Sequence, residues 1–396
     1  MNANTSLFSR ATVRIGVVAL AVVASAVSGG VALASFNSAP AVSHGSTART
    51  CFYRATVQSG STTSTANGLK TVTITAVTMS KAFLLFSTSH NLNRPVGSEV
   101  SGRLTSTTTL EFNRVTDEAS PATITIQWSV VEYNCGVTVQ RGSVAPAATT
   151  NNVTITAVNS TADAFTTFSK TPTSTDSSWD SNDPTVVELT STTNLQFRVD
   201  AAVATHTIHW QVVEFTDSTM IKVQRGTTSL TGATTSTTAT LGTAVNTAHT
   251  FVLVSTRATG SGTDIGSGLV RGTLTNSTTV TLDRSAANYN VTEIAWQAVE
   301  LKEGSTVQNG SATVASAAAS GTVSLTAVTL ARSNAFASGM SGGGTNCGRT
   351  AYTTDDVLGV ACFTLALTST TQLTLTRANT AAAADVGWFV VSWGLP

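Results

Sequence analysis

The sequence predicts an all-β protein: a tandem array of four six-stranded antiparallel β-sandwich domains behind an N-terminal signal peptide. Three observations carry that expectation. A tryptophan-centred stretch, Ile124-Thr-Ile-Gln-Trp128-Ser-Val-Val-Glu132-Tyr133, returns around Trp210, Trp296 and Trp388. A Val-Gln-x-Gly motif begins at Val57, Val139, Val223 and Val307, spacings of 82, 84 and 84 residues, and self-similarity at a fixed period marks repeated structural units. Composition agrees: Thr, Ser, Ala, Val and Gly dominate, β-branched residues favour a pleated surface, and no helical periodicity runs through the units.

In chain order, residues 1–34 read as an export signal. Arg10 and Arg14 precede an apolar run from Ile15 to about Val27, and Ala32-Leu33-Ala34 supplies a small-x-small cleavage site. Ser25, Ser28, Gly29 and Gly30 interrupt the run before it reaches the length of a membrane span, and no second run of spanning length follows. The mature chain is therefore expected to be secreted or at the cell surface. Residues 35–50 make a flexible lead-in, and the four units occupy 51–136, 137–218, 219–304 and 305–396. The links Asn134–Gly136, Thr216–Thr219 and Lys302–Ser305 are too short to act as tethers, so adjacent units should be fixed, as a rod or as a closed cluster.

In the first unit, Phe52–Gln58, Thr71–Val77, Ala82–Ser87, the two arms of a hairpin over Gly102–Phe112, and Ile124–Tyr133 make six short strands, the pattern of an antiparallel sandwich. Ala82-Phe83 has its counterparts at Ala164-Phe165 and Ala335-Phe336, with Phe251 in the looser third unit. The hairpin signature Leu-Thr-x-x-Thr-x-Leu recurs from Leu104, Leu189 and Leu367, and with Val280 at its end from Leu274; a turn between apolar anchors explains it by folding alone. No tryptophan strand precedes Phe52–Gln58, so that strand is a candidate open edge.

Cys51, Cys135, Cys347 and Cys362 suit an oxidising compartment. Four cysteines allow three pairings, and position in the repeat favours one of them. Cys51 opens the first strand of the first unit and Cys135 follows its last, ends that meet if those strands are antiparallel. Cys347 and Cys362 then close a loop in the fourth unit, a constraint worth about 3 kcal/mol in the chain-entropy model.

The residues that carry chemistry are few. The formal net charge is +0 and 11% of residues are charged, so no basic patch draws nucleic acid or anionic lipid. Trp128, Trp210, Trp296 and Trp388 are expected to fill the four cores rather than stack on sugars. Glu132, Glu214 and Glu300 end the tryptophan strand, and Arg114, Arg198, Arg284 and Arg377 end the hairpin, a recurrence that a Glu–Arg pair would explain. One such carboxylate per unit supplies no acid pair for glycoside hydrolysis, so no catalytic residue is expected. His206 and His209, three apart on a strand, point to opposite faces, and with no third ligand type nearby neither a metal nor another cofactor is expected. Gly339-Met-Ser341-Gly-Gly343 matches Gly-x-Ser-x-Gly without a strand-to-helix elbow around it.

The units differ most in the loop between the third and fourth strands: Ser89–Arg94, Asp176–Pro184, Gly260–Asp264 and the Gly342–Asp356 insertion. Variation gathered in one loop of a repeated frame is how binding arrays diversify, and it is also how unconstrained loops drift. The best single candidate site is in the second of these loops, where an exposed Trp179 among Asp176, Asp180 and Asp183 offers stacking and carboxylate oxygens.

On the Ala-Phe strand, the Leu-Thr-x-x-Thr-x-Leu hairpin and the Trp-x-Val-Val-Glu strand, the pattern over 51–396 resembles the six-stranded sandwich of H-type lectins and the related repeats of bacterial and phage surface fibres. That resemblance implies surface recognition. The leading expectation is a non-enzymatic adhesin-like protein that binds surface glycans or another surface through the variable loops. The alternative is a structural subunit that self-associates into an extracellular fibre, appendage or coat through edge strands or apolar patches.

Overall fold

Short β-branched segments broken by turn residues give strands and almost no helix. In the computed structural model, which describes residues 51–395 apart from 66–67, 116–122, 231–232, 260–267, 288–289, 303 and 352–357, the first copy contains β1 Ala55–Ser64, β2 Gly68–Thr73, β3 Ala82–Ser89, β4 Ser101–Ser106, β5 Thr109–Arg114 and β6 Ile124–Tyr133. The export signal and lead-in lie outside the described residues. The second copy runs β7 Val137–Val144, β8 Thr150–Thr154, β9 Ala164–Thr171, β10 Val186–Ser191, β11 Asn194–Arg198 and β12 Thr207–Phe215. The third runs β13 Ile221–Leu230, β14 Ser236–Thr240, β15 Thr250–Thr259, β16 Arg271–Asn276, β17 Thr279–Asp283 and β18 Asn290–Leu301. The fourth runs β19 Thr306–Val314, β20 Ser320–Ser324 and β21 Ser333–Ala337. Its insertion adds β22 Gly339–Ser341, β23 Gly344–Cys347 and β24 Arg349–Thr350, and β25 Thr364–Ser369, β26 Gln372–Thr376 and β27 Ala384–Ser392 complete it.

Each copy pairs its first, last and third strands antiparallel in that spatial order, β1-β6-β3 in the first, and its second, fifth and fourth in another sheet, β2-β5-β4. One face of β6, carrying Ile124, Ile126, Trp128 and Val130, shares an apolar cluster with Leu104, Leu110 and Phe112 of the second sheet, a sandwich-like arrangement. All four repeated tryptophans are buried, between 7% and 8% exposed.

The Val-Gln-x-Gly motif is explained within this frame. Its glycine lies across the ladder from the tryptophan in every copy, and a Cβ on Gly60, Gly142, Gly226 or Gly310 would stand 2.5 to 2.8 Å from an indole carbon. Its glutamine grips a backbone: Gln58 donates through Nε2 to the Thr75 carbonyl at 3.0 Å and accepts at Oε1 from the Thr75 N–H at 2.8 Å. Gln140, Gln224 and Gln308 do the same with Thr156, Thr243 and Thr326. That clamp takes the backbone of Thr75, so β2 stops at Thr73 short of the expected Val77.

The opposite face of the tryptophan strands points inward to a core drawn from all four copies. At its centre Phe83, Phe165, Phe251 and Trp393 form a closed cycle of edge-to-face contacts, with centroid separations of 5.7, 5.6, 5.8 and 5.3 Å around the cycle. Such pairs add roughly 0.5–1.5 kcal/mol each beyond area burial. The fourth place goes to Trp393 because the ladder register sets Asn334, not Phe336, in line with Phe83. Trp393 donates through Nε1 to the Asn334 Oδ1 at 2.6 Å, and Phe336 stands two residues further along the strand, against the expected equivalence of Ala335-Phe336 with Ala82-Phe83.

A second cycle runs through serines. The Gly102 N–H of copy one donates to Ser169 of copy two, Val187 of copy two to Ser255 of copy three, Gly272 of copy three to Ser338 of copy four, and Leu365 of copy four to Ser87 of copy one. Residues Arg49–Pro396 are therefore a closed cluster and not a rod. Closure also alters two expectations. β1 ends its sheet, as expected of an edge, but the residues leading into it are covered, with Leu395 donating to the Tyr53 carbonyl at 2.7 Å and Arg54 bridging to Gly394 and Leu395. The expected Glu–Arg pair does not recur: in copy two Arg198 pairs with Glu188 and Glu293 rather than with Glu214. Glu132, Glu214 and Glu300 each accept a backbone N–H, from Thr78, Asn159 and Asn246, while Arg284 and Arg377 donate to backbone carbonyls. Both disulfides, Cys51–Cys135 and Cys347–Cys362, are present, with Cα separations of 6.0 and 4.1 Å.

Candidate recognition site

The variable loops meet rather than fan out. Trp179, expected to be exposed, is 2% exposed and packs against Ala258 of copy three and against Leu358, Cys347 and Cys362 of copy four. Asp176 and Asp183 are buried as well. The physical reason is closure: four identical loops cannot fill one axis, so unlike loops form a single plug. Gly260–Asp264 lies outside the described residues.

Within the plug Lys170 of β9 is wholly buried, with its ammonium 3.1 Å from Asp183 Oδ1 and 3.1 Å from Glu99 Oε2 of copy one. Burial pushes Glu99 up to about 7 against the pull of Lys170, and it also raises Asp183. Burial acts to lower Lys170, but Glu99 and Asp183 hold it above its ordinary value. Asp176 lies 2.9 Å from His206 Nε2, and burial holds His206 low. Asp180 accepts from the Asn182 N–H at 2.9 Å, and the Asp180 N–H donates to Asp183 Oδ2 at 3.0 Å. All four predicted site residues are thus brought together, but each is committed to holding the plug. No three metal-ligating side chains converge among the described residues. Ser341 of the Gly-x-Ser-x-Gly match donates to Asn346, two strands of the insertion being joined there.

The accessible site lies elsewhere, at the junction of copies one and two. A cleft of ≈ 180 Å³ opens between β3 and β4 on one side and β7 and β12 on the other. Phe86, Leu104, Phe168 and Trp210 give it apolar walls, and Arg103, Arg141 and His209 stand among them. Arg141 is fixed by the Met79 and Ala82 carbonyls at 2.8 and 2.5 Å, and Arg103 by Glu111 at 2.8 Å. Burial, with Arg103 beside it, lowers His209 to about 4, so its imidazole is neutral at physiological pH and offers one donor and one acceptor. Among the described residues it makes no hydrogen bond.

Arg103 and Arg141 do not stand out as site residues in the sequence, and His209 figures there only as a candidate metal ligand that is set aside. One signal was there to find: the variable x of Val-Gln-x-Gly, Ser59, Arg141, Arg225 and Asn309, lies across the ladder from Ser129, Gln211, Gln297 and Phe389, and these four pairs face the four junctions. No known protein family and no curated protein matches the chain.

Proposed function

We propose that the chain is an exported, non-enzymatic recognition protein whose four copies are six-stranded sandwich domains locked into a ring, and that it binds neutral glycans. The observation that carries this reading is the cleft between copies one and two. It sets an unpartnered neutral imidazole and fixed guanidinium groups beside aromatic and aliphatic walls, the mixture that suits a ligand with apolar ring faces and many hydroxyls. The two disulfides fit an extracellular location, and among the described residues no helix is long and apolar enough to cross a membrane. Catalysis has no support from the cleft, which is lined by no carboxylate, and whose Ser143 and Ser169, though across the ladder from His209, make no hydrogen bond to it among the described residues.

Glycan-array binding followed by calorimetry tests the reading. Wild type should bind a neutral oligosaccharide, and Arg103→Ala with His209→Ala should lose at least tenfold in affinity with the fold retained. Absence of any glycan binding by wild type would remove it. A structural subunit is the second reading, favoured by the outer strand β2, which ends its sheet and carries Leu69 at 54% exposure. Concentration-dependent polymers in sedimentation would turn the choice that way.

A further inference from the structure

At the first two junctions the x of Val-Gln-x-Gly and its cross-strand neighbour from one copy meet the third strand, and the turn leading into it, of the copy before. At the first junction Arg141 donates to the Met79 and Ala82 carbonyls, and Gln211 pairs with the backbone of Leu84, its Nε2 2.8 Å from the carbonyl and its Oε1 2.9 Å from the N–H. At the second, Arg225 donates to the Thr161 and Ala164 carbonyls, and Gln297 pairs with the backbone of Thr166 at 2.9 and 3.0 Å. At the third, Asn309 donates to the Thr247 carbonyl, while Phe389, in the glutamine place, stacks on Phe336 of its own copy.

The ring-closing junction, copy four against copy one, breaks this pattern. Ser59 and Ser129 stand in the arginine and glutamine places and bond only to each other, at 2.9 Å. Register puts Leu330, Ser333 and Ala335 where Met79, Ala82 and Leu84 stand at the first junction. No arginine or glutamine among the described residues reaches those three backbones. A groove of ≈ 350 Å³ is left there, against ≈ 180 Å³ where Arg141 and Gln211 are in place. Val57, Leu365 and Leu367 give it aliphatic walls, and no charged side chain lines it.

We infer that this groove is a binding site for a guanidinium carried on an aliphatic stem. The ligand's forked N–H donors would take the Ser333 carbonyl and the remaining lone pair of the Leu330 carbonyl, which also accepts the Ser333 N–H, and its methylenes would lie along Val57 and the two leucines. Two internal junctions already seat a guanidinium on this same pair of backbone positions with carbonyls alone, so the geometry for recognition is built into the repeat.

Agmatine is the probe, titrated by calorimetry into the full chain. Wild type should bind it saturably at one site. Ser59→Arg with Ser129→Gln, which restores the internal motif, should cut the affinity at least tenfold and raise the denaturant midpoint, and Ser129→Gln alone should weaken binding in the same direction. His209→Ala, in the other cleft, should leave agmatine affinity unchanged. Lack of saturable binding by wild type, or undiminished binding by the folded serine variants, would overturn the assignment. Because the glycan reading depends on His209 and Arg103, its failure and this one are read by separate variants.

Discussion

The Leu365 N–H donates to Ser87 Oγ at 3.2 Å across 278 residues of sequence. It is the same hydrogen bond that Gly102 makes to Ser169 and Gly272 to Ser338, so the last copy meets the first as every copy meets its neighbour. A chain of like units in which each interface is used once has no free end, and its stability is shared around the cycle.

Trp393→Ala should therefore do more than empty a local site. It removes the indole from between Phe83 and Phe251 and leaves Asn334 Oδ1 without its donor. A loss of about 3–5 kcal/mol is expected from urea unfolding, as for other large aromatic truncations in a core.

Gly142→Ala should destabilise the chain by about 1–3 kcal/mol, because the new Cβ would lie 2.5 Å from the Trp210 ring with strands on both sides preventing retreat. Chemical denaturation measures it, and Gly68→Ala serves as a contrast. There a Cβ meets nothing within 4 Å, and the cost comes from the positive φ of +88° alone.

Repetition made the frame legible in the sequence, and the same repetition concealed the ring. Trp128, Gly60 and Gln58 recur because each copy needs its own tryptophan, the glycine beneath it and the glutamine clamp, and so the strands and cores could be read directly. What closes the cluster does not recur. Trp393 substitutes for a phenylalanine from a different strand, and Trp179 is buried only because three other copies surround its loop. Burial supplied by neighbouring copies leaves no local periodic signal, so the candidate loop looked exposed and the junction cleft went unnoticed.

The buried cation at the plug makes its own prediction. Lys170→Met alone strands Glu99 and Asp183 without a counter-charge and should cost about 3–5 kcal/mol. Adding Glu99→Gln and Asp183→Asn should recover much of that loss, as differential scanning calorimetry of the single and triple variants will report.

The pH dependence has two opposed windows. His90 is buried, and burial lowers it to about 4. The unfolded chain takes up a proton near 6.5 and the folded chain only near 4, so the stability from neutral His90 is intact above 6.5 and is lost as pH falls through that range. Glu99, raised to about 7, acts in the reverse sense, with its contribution present below its ordinary value of 4.5 and lost as pH rises through 7. His90→Asn should flatten the acid limb of the stability profile between pH 6.5 and 4 by about 3 kcal/mol, measured by urea unfolding at fixed pH values.

Small-angle X-ray scattering of the chain tests ring closure most directly. A closed cluster of four copies predicts a radius of gyration of about 20 Å, the value for a compact unit of this length. Four units end to end, each about 33 Å long at the rise of a ten-residue strand, would give roughly 35–40 Å and would contradict the ring.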